Sequence, residues 1–423
     1  MIYQRELKKL IEAELNTTKI ILITGPRQAG KTTLLQEIAE GLKQKQEQVY
    51  FYNFDRIADL EFFNNQQKIE AFLKIRSIKS KLYIFVDEVQ RKKDAGNFFK
   101  YFYDAGLNVK FIFSGSSSLE LTSSFGDALT GRKQVFSLLP LSILEIAESL
   151  GEELEFAKQG DPIALAKFKE LIELTLVWGN YPDVVQKQES EQLKSLGELY
   201  ESYVQRDVKD LLRVKNISGF NLLVKIIAHN AGKSVFVEDL VRSTGLHNIT
   251  INSYLDILEG TNIIARTENY NPDFLDNLPK SNHYYFLDNG LRNYALGQLQ
   301  SEFRTDYQQL AANLIYSELR KVLANKHYDN NGERLFHFQT YSDNHLDFIY
   351  APKLLSEIIP IVVRYPDNNR KLGKKIHEYI NTKLPTKLYI VTNNYEEEQI
   401  IKSCKILFVP LEQFIISIPK LIN

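Results

Sequence analysis

Residues 19–45 hold the stretch that most restricts how this chain can fold. A short β-branched run, Lys19–Thr24, leads into Gly25-Pro26-Arg27-Gln28-Ala29-Gly30-Lys31-Thr32, and apolar residues at helical spacing follow over Thr32–Lys45. The pattern predicts a buried parallel strand, a tight turn and a helix. Glycines let such a loop wrap closely and aim several backbone N–H groups inward. The helix adds its positive N-terminal end. That combination suits the phosphates of a nucleoside triphosphate. The candidate binding residues are Gly25, Pro26, Arg27, Gln28, Ala29, Gly30, Lys31, Thr32 and Thr33. Lys31 is expected to reach the β- and γ-phosphates, and Thr32 to ligate magnesium. ATP with Mg2+ is the expected ligand, with no base-reading motif to separate it from GTP.

Strand and helix patterns go on alternating after this point. Gln48–Asn53, Leu82–Asp87, Val109–Ser114 and Lys133–Leu138 read as strands, and Asn97–Ala105 as a helix. Alternation of this kind predicts a parallel sheet covered on both faces. The strand Leu82–Asp87 is the most apolar and stops at two carboxylates, Asp87 and Glu88. Asp87 is expected to hold the metal with Thr32. Glu88 is expected to orient or activate the attacking water, which favours hydrolysis over a pure binding switch. Ligands sit at the carboxyl ends of such strands, so the end of Val109–Ser114 is either an ordinary polar turn or offers a hydroxyl to the γ-phosphate or the attacking water, with Ser114 first and Ser116 as the alternative. Arg132, just before the last of these strands, is either a solvated charge or an arginine finger for a neighbouring subunit's γ-phosphate.

Composition sets bounds on the rest. At 423 residues the chain exceeds one typical core, so two to four domains are expected. The formal net charge of −1 excludes a whole-chain basic field for gripping nucleic acid. Local clusters remain, around Arg91-Lys92-Lys93 and at Lys371, Lys374 and Lys375. The single cysteine, Cys404, rules out an intrachain disulfide and any multi-thiolate metal site. Charges break up the first ten residues, so no secretory signal is read there. No apolar stretch approaches the ~20 residues of a membrane helix. A cytoplasmic protein without membrane contact is expected.

Several short sequences together resemble one family. They are GPRQAGKTTLL at 25–35, YIFVDEVQ at 83–90, FSGSSSLEL at 113–121, LTGR at 129–132 and LLPLS at 138–142. GNYPDVV at 179–185, YVQRDV at 203–208 and YFLDNGLRN at 285–293 follow in order. The chain resembles the bacterial and archaeal AAA-family ATPases that carry a C-terminal domain of unknown function, number 4143. The first two words are generic to P-loop ATPases, and the combination is more specific. The resemblance implies an α/β fold: an AAA-type parallel sheet with a helical lid, then a winged helix, then a restriction-nuclease-like α/β domain. The corresponding expectations are an ATPase core over 1–141, a lid over 142–215, a winged-helix domain over 216–299 and a degenerate nuclease-like domain over 300–423. The resemblance also supports Arg132 as a finger. It aligns Arg206 with a lid arginine, which either senses nucleotide or forms a buried ion pair.

Two later segments bear on partners. Val235–Leu240 and Asn248–Leu258 read as helices around Ser243-Thr244-Gly245-Leu246, a helix-turn-helix arrangement. The second helix offers Asn248, Thr250, Asn252 and Ser253 to base edges but no Lys or Arg for phosphates. DNA contact and protein contact both remain open, as does homo-oligomerisation. Lys209, Arg213 and Lys215 form a basic stripe at the helical spacing of a solvated face. In the last segment, a helix over Gln308–Ala324 precedes strands at His345–Ala351, Ile358–Arg364 and Lys387–Thr392. Restriction-type nucleases place an Asp on one strand and Glu-x-Lys on the next. Here Asp347 is present, Val362 stands where the Glu belongs, Arg364 replaces the Lys and Ala312 replaces an upstream Glu. Nuclease chemistry is therefore not expected.

Overall fold

The computed structural model describes residues 3–115, 125, 128–204, 208, 214–270, 281–300, 304–325, 335–339, 345–351 and 358–422. Two compact units emerge, residues 1–141 with 260–262, and residues 142–259 with 263–423.

The first unit is a five-stranded, all-parallel sheet. Its elements run α1 (Glu6–Ala13), β1 (Ile20–Thr24), α2 (Lys31–Gln44), β2 (Gln48–Asn53), α3 (Ile57–Asn64), α4 (Gln66–Arg76), β3 (Leu82–Asp87), α5 (Ala95–Asp104), β4 (Val109–Gly115) and β5 (Lys133–Ser137). The strand order is β2-β3-β4-β1-β5. Strands β1 and β3 are buried along their whole length, because helices cover both faces. Alternate residues therefore feed two cores. Ile21 and Ile23 pack with Leu34, Leu35 and Ile38 of α2 and with Leu7 and Ile11 of α1. Ile20 and Leu22 face the aromatic-rich core of Phe63, Phe99, Phe111 and Phe113.

Register decides which residues share the carboxyl edge. Asn53 pairs with Asp87, Val86 with Phe113, and Ile23 with Ser114. The ends of β2, β3, β4 and β1 thus stand level along one edge. The opposite edge is marked by Ile20, whose N–H donates to Arg132 O at 2.9 Å.

The second unit begins with helices α6 (Ile143–Ala147), α7 (Glu152–Lys158), α8 (Pro162–Trp178), α9 (Pro182–Val185) and α10 (Glu189–Ser202). Then come α11 (Ile217–His229), β6 (Ser234–Val235), α12 (Val237–Thr244), α13 (Asn248–Gly260), β7 (Ile264–Thr267), β8 (Asn282–Phe286) and α14 (Asn289–Leu296). Strands β6, β8 and β7 form a small antiparallel sheet. The last segment runs α15 (Tyr307–Ala324), β9 (Leu335–Gln339), β10 (His345–Tyr350), β11 (Ile359–Val363), α16 (Lys374–Lys383), β12 (Lys387–Thr392), β13 (Glu397–Ile401), β14 (Cys404–Pro410) and α17 (Leu411–Ile422). Its six-stranded mixed sheet has the order β13-β14-β12-β11-β10-β9.

Within this unit Gly179 and Asp288 lock together. A side chain at Gly179, whose φ is 76°, would stand 2.2 Å from Asp288 Oδ1. Asp288 Oδ2 accepts from Asn180 N at 2.6 Å, and Oδ1 accepts from Leu291 N at 3.0 Å as the cap of α14. Burial raises the Asp288 pKa, and its backbone donors oppose that rise. Two of the short sequences, 179–185 and 285–293, therefore meet at one buried contact.

Candidate functional site

The phosphate loop leaves β1 through Gly25, whose φ is 148°. A Cβ there would lie 2.0 Å from Leu138 O, so only glycine fits. Gln28 and Gly30 also hold positive φ, 58° and 97°. Gly30 caps α2, and Lys31 is its first helical residue. Lys31 is buried, and its Nζ donates to Gly25 O at 2.9 Å and Pro26 O at 2.7 Å. The ammonium thus lies across the mouth of its own loop. Pro26 and Ala29 are buried, Arg27 and Thr32 are half-buried, and Gln28 and Thr33 are exposed.

Asp87 is the hub of the site. Its Oδ2 accepts from Thr32 Oγ1 at 2.7 Å, which joins the loop to the end of β3. The same oxygen accepts from Asn53 Nδ2 at 3.3 Å, and Oδ1 accepts a short hydrogen bond from Ser114 Oγ. Three neighbouring strands and one helix therefore converge on one buried carboxylate. The oxygens of Thr32 and Asp87 are the hard donors that magnesium takes, so the residues present fit that ion.

Glu88 follows with φ 55° and ψ 46°, left-handed values unusual for glutamate. Its Oε2 accepts from Gln90 Nε2 at 2.6 Å. Burial pushes the Glu88 carboxyl above its ordinary pKa. Asp87 adds to the rise, while Lys31, Arg27 and Gln90 oppose it. A carboxylate with a raised pKa is a better proton acceptor for water.

The structure thus brings together Lys31, Thr32, Asp87, Glu88 and Ser114, and adds Asn53 and Gln90, which the sequence did not single out. Asn53 shares a signal with Asp87, as both are polar residues ending an apolar strand. Arg132 stands apart from the loop. It lies at the amino end of β5, and β1 alone separates the two edges by roughly 16 Å at ~3.3 Å per residue. Its Nε bonds Asp104 Oδ1 at 2.9 Å, and its guanidinium lies 6.0 Å from the centre of the Tyr103 ring. Ser116, Arg206, Lys209 and Arg213 lie outside the described residues.

Of the basic cluster at 91–93, Arg91 and Lys93 are exposed. Lys92 is buried and sits 4.2 Å over the Phe98 ring, while Arg91 pairs with Asp55 at 2.8 Å. On α13, Asn248, Asn252 and Ser253 are exposed, Thr250 is half-buried, and Asn252 Nδ2 donates to Asn248 O at 3.0 Å. In the last sheet Asp347 Oδ2 accepts from Val363 N at 2.8 Å. Val362 packs in apolar clusters, Ala312 is buried, and Arg364 Nη1 donates to Asn369 O at 2.6 Å.

Comparison with known proteins agrees with this geometry. Residues 17–147 match the model of an AAA domain. With the parallel strand order and the loop, the first unit is a P-loop nucleotide-binding domain of the AAA type. In place of the expected domain number 4143, residues 169–302 match a different domain of unknown function, number 8612. An uncharacterized protein of Haemophilus influenzae is 23% identical over 95% of this chain and 96% of its own length. An uncharacterized protein of Mycobacterium tuberculosis is 21% identical over 70% of this chain, a match that spans 60% of that protein. Among solved structures, the ORC2 protein of Aeropyrum pernix in its ADP form is 12% identical with a TM-score of 0.35, over 71% of this chain and 96% of that one. AMPPCP-bound DnaA from Aquifex aeolicus is 16% identical with a TM-score of 0.29, over 61% and 89%. The strand order and register, rather than these scores, define the fold.

Proposed function

We propose that this chain binds ATP with Mg2+ and hydrolyses it, acting as a molecular switch or motor of the AAA type. The observation that carries the reading is the meeting of Thr32 and Ser114 on Asp87, with Glu88 next in line. Thr32 and Asp87 would hold the magnesium ion, which when bound neutralises phosphate charge. Lys31 would exchange its two loop carbonyls for β- and γ-phosphate oxygens. Glu88 would take a proton from the attacking water as the oxygen bonds to the γ-phosphorus and the bond to ADP breaks. Ser114 holds Asp87 in place and stands level with the end of β3. Arg132, at the far edge, would act only on a neighbouring subunit.

We read residues 1–141 as the ATPase core, 142–215 as a lid, 216–299 as a winged helix and 300–423 as a nuclease-like fold. The order α11-β6-α12-α13-β7-β8 supports the third of these. The order α15-β9-β10-β11-α16-β12 supports the fourth. Asp347 accepts a backbone N–H, and Val362 and Arg364 stand where Glu and Lys belong, so we infer no nuclease chemistry there. The exposed face of α13 carries Ile249 and no cation, which favours a protein partner over DNA. Among the described residues, no helix is long and apolar enough to cross a membrane.

The test is ATP turnover. Lys31→Ala is expected to abolish it. Glu88→Gln is expected to bind ATP and hydrolyse it about 100-fold more slowly or worse, within the usual range for a lost general base. Parent-like turnover in both variants would sink the assignment. Binding without turnover in the parent would make the chain a nucleotide-gated scaffold. The same preparations should leave DNA and RNA uncut with Mg2+, and cleavage abolished by Asp347→Ala would overturn the second inference.

A further inference from the structure

We propose that Arg5 is a positioning residue that sets the phosphate loop from outside the loop, an inference that rests on the ATPase reading above. Arg5 precedes α1 and lies ahead of the residues that match the AAA domain model. Its guanidinium bridges two backbone carbonyls. Nη1 donates to Ala29 O at 2.9 Å, and Nη2 donates to Leu139 O at 2.6 Å.

The bond to Ala29 has a consequence for the next peptide group. A trans peptide is planar, so its N–H points opposite to its C=O. Holding the Ala29 carbonyl outward on Arg5 therefore turns the Gly30 N–H toward the concave side of the loop, where phosphate oxygens would sit. Gly30, at φ 97°, follows this peptide and has no Cβ to restrict it, so on that side the peptide gets little steric guidance from its own chain. A Cβ built on Gly30 would lie 3.8 Å from Arg5 Nη1, so the guanidinium stands beside both residues of this peptide.

The second bond supplies an anchor. Leu138 N donates to Thr24 O at 2.7 Å, and Leu138 O lies against Gly25. The segment after β5 thus supports the loop directly at Gly25, and through Arg5 at Ala29. Helix α1 holds its place independently through Leu7 and Ile11, which are buried against α2 and the sheet. Removing the Arg5 side chain should therefore loosen the loop without releasing the helix.

The experiment compares the full-length parent with Lys31→Ala, Arg5→Ala and Arg5→Lys. It reads the Kd for a fluorescent ATP analogue, steady-state ATPase against ATP concentration, and melting of the nucleotide-free protein. Arg5→Ala is expected to raise Kd and KM about tenfold, the scale of one charge-assisted hydrogen bond, with kcat within about threefold. Arg5→Lys, which keeps the charge and loses the fork of the guanidinium, is expected to fall between. The nucleotide-free melting temperature should stay within about 2 °C of the parent. Parent binding that Lys31→Ala abolishes and Arg5→Ala leaves within about twofold overturns this inference alone. So does a fall in kcat with KM unchanged. Absence of nucleotide binding in the parent overturns the ATPase reading and this one with it. Should Arg5→Ala not fold, Arg5→Gln takes its place under the same criteria.

Discussion

Gly25 shows how much of the site depends on one missing carbon. Its φ of 148° and the Leu138 carbonyl leave no room for a Cβ, since the obstacle 2.0 Å away is backbone and cannot swing aside. Gly25→Ala is expected to cost at least about 3 kcal/mol and to remove nucleotide binding, because strain and overpacking act together. Chemical denaturation and nucleotide titration check this, and a parent-like Kd would refute it. Such residues are legible in sequence because the loop has a fixed spacing. Asp87 and Glu88 are legible because two carboxylates end an apolar run. Asn53 was passed over, as a polar residue closing a strand has no motif of its own. Arg5 left no signal at all: its partners are carbonyls of Ala29 and Leu139, and backbone acceptors do not show in a side-chain pattern.

Elements with one strong period were read to within a residue or two. Strands β2, β3 and β12 coincide with the expected spans, because each is an apolar run of β-branched or aromatic residues closed by a polar one. Helix α12 starts at Val237 rather than Val235, since Val235 pairs with Asn282 in β6. The hairpin of β13 and β14 was missed. Its turn uses Lys402 at φ 54° in place of glycine or asparagine, and β13 is a charged edge strand. Between β8 and β9 two imidazoles stack, His283 on His337, with ring centres 3.7 Å apart. Burial, then the His283 ring, lowers the His337 pKa to about 2, while a hydrogen bond involving Thr267 opposes the shift. The folded form therefore keeps His337 neutral, while the unfolded chain takes a proton below about pH 6.5. Stability is full above that value and falls as pH drops, by up to about 1.4 kcal/mol per unit. Urea midpoints of the second unit's transition should decline from pH 7 to 5, and His337→Phe should flatten the slope. An unchanged slope in His337→Phe would refute the assignment to this ring.

For the whole molecule, the carboxyl edge of the first sheet carries the loop, and Arg132 lies at the amino edge. If Arg132 completes a site, the site is in another copy. Particle mass should then rise with a non-hydrolysable ATP analogue, and Arg132→Ala should lower turnover at least about tenfold without raising the nucleotide Kd, a conservative figure for a finger. A monomer under every nucleotide condition would exclude this role. Little of this level was legible in sequence. The edge of Arg132 follows from its place before a parallel strand, but strand order and register come from pairing that no local pattern records. The opposition of donor and acceptor edges also has a counting consequence. A contact that joins one edge to the opposite edge of the next copy is heterologous, so an open row of n subunits contains n − 1 completed sites and only a closed ring completes all n. Turnover per subunit would then climb with protein concentration to a plateau that is the same for every ring size, and the steepness of the climb would report n.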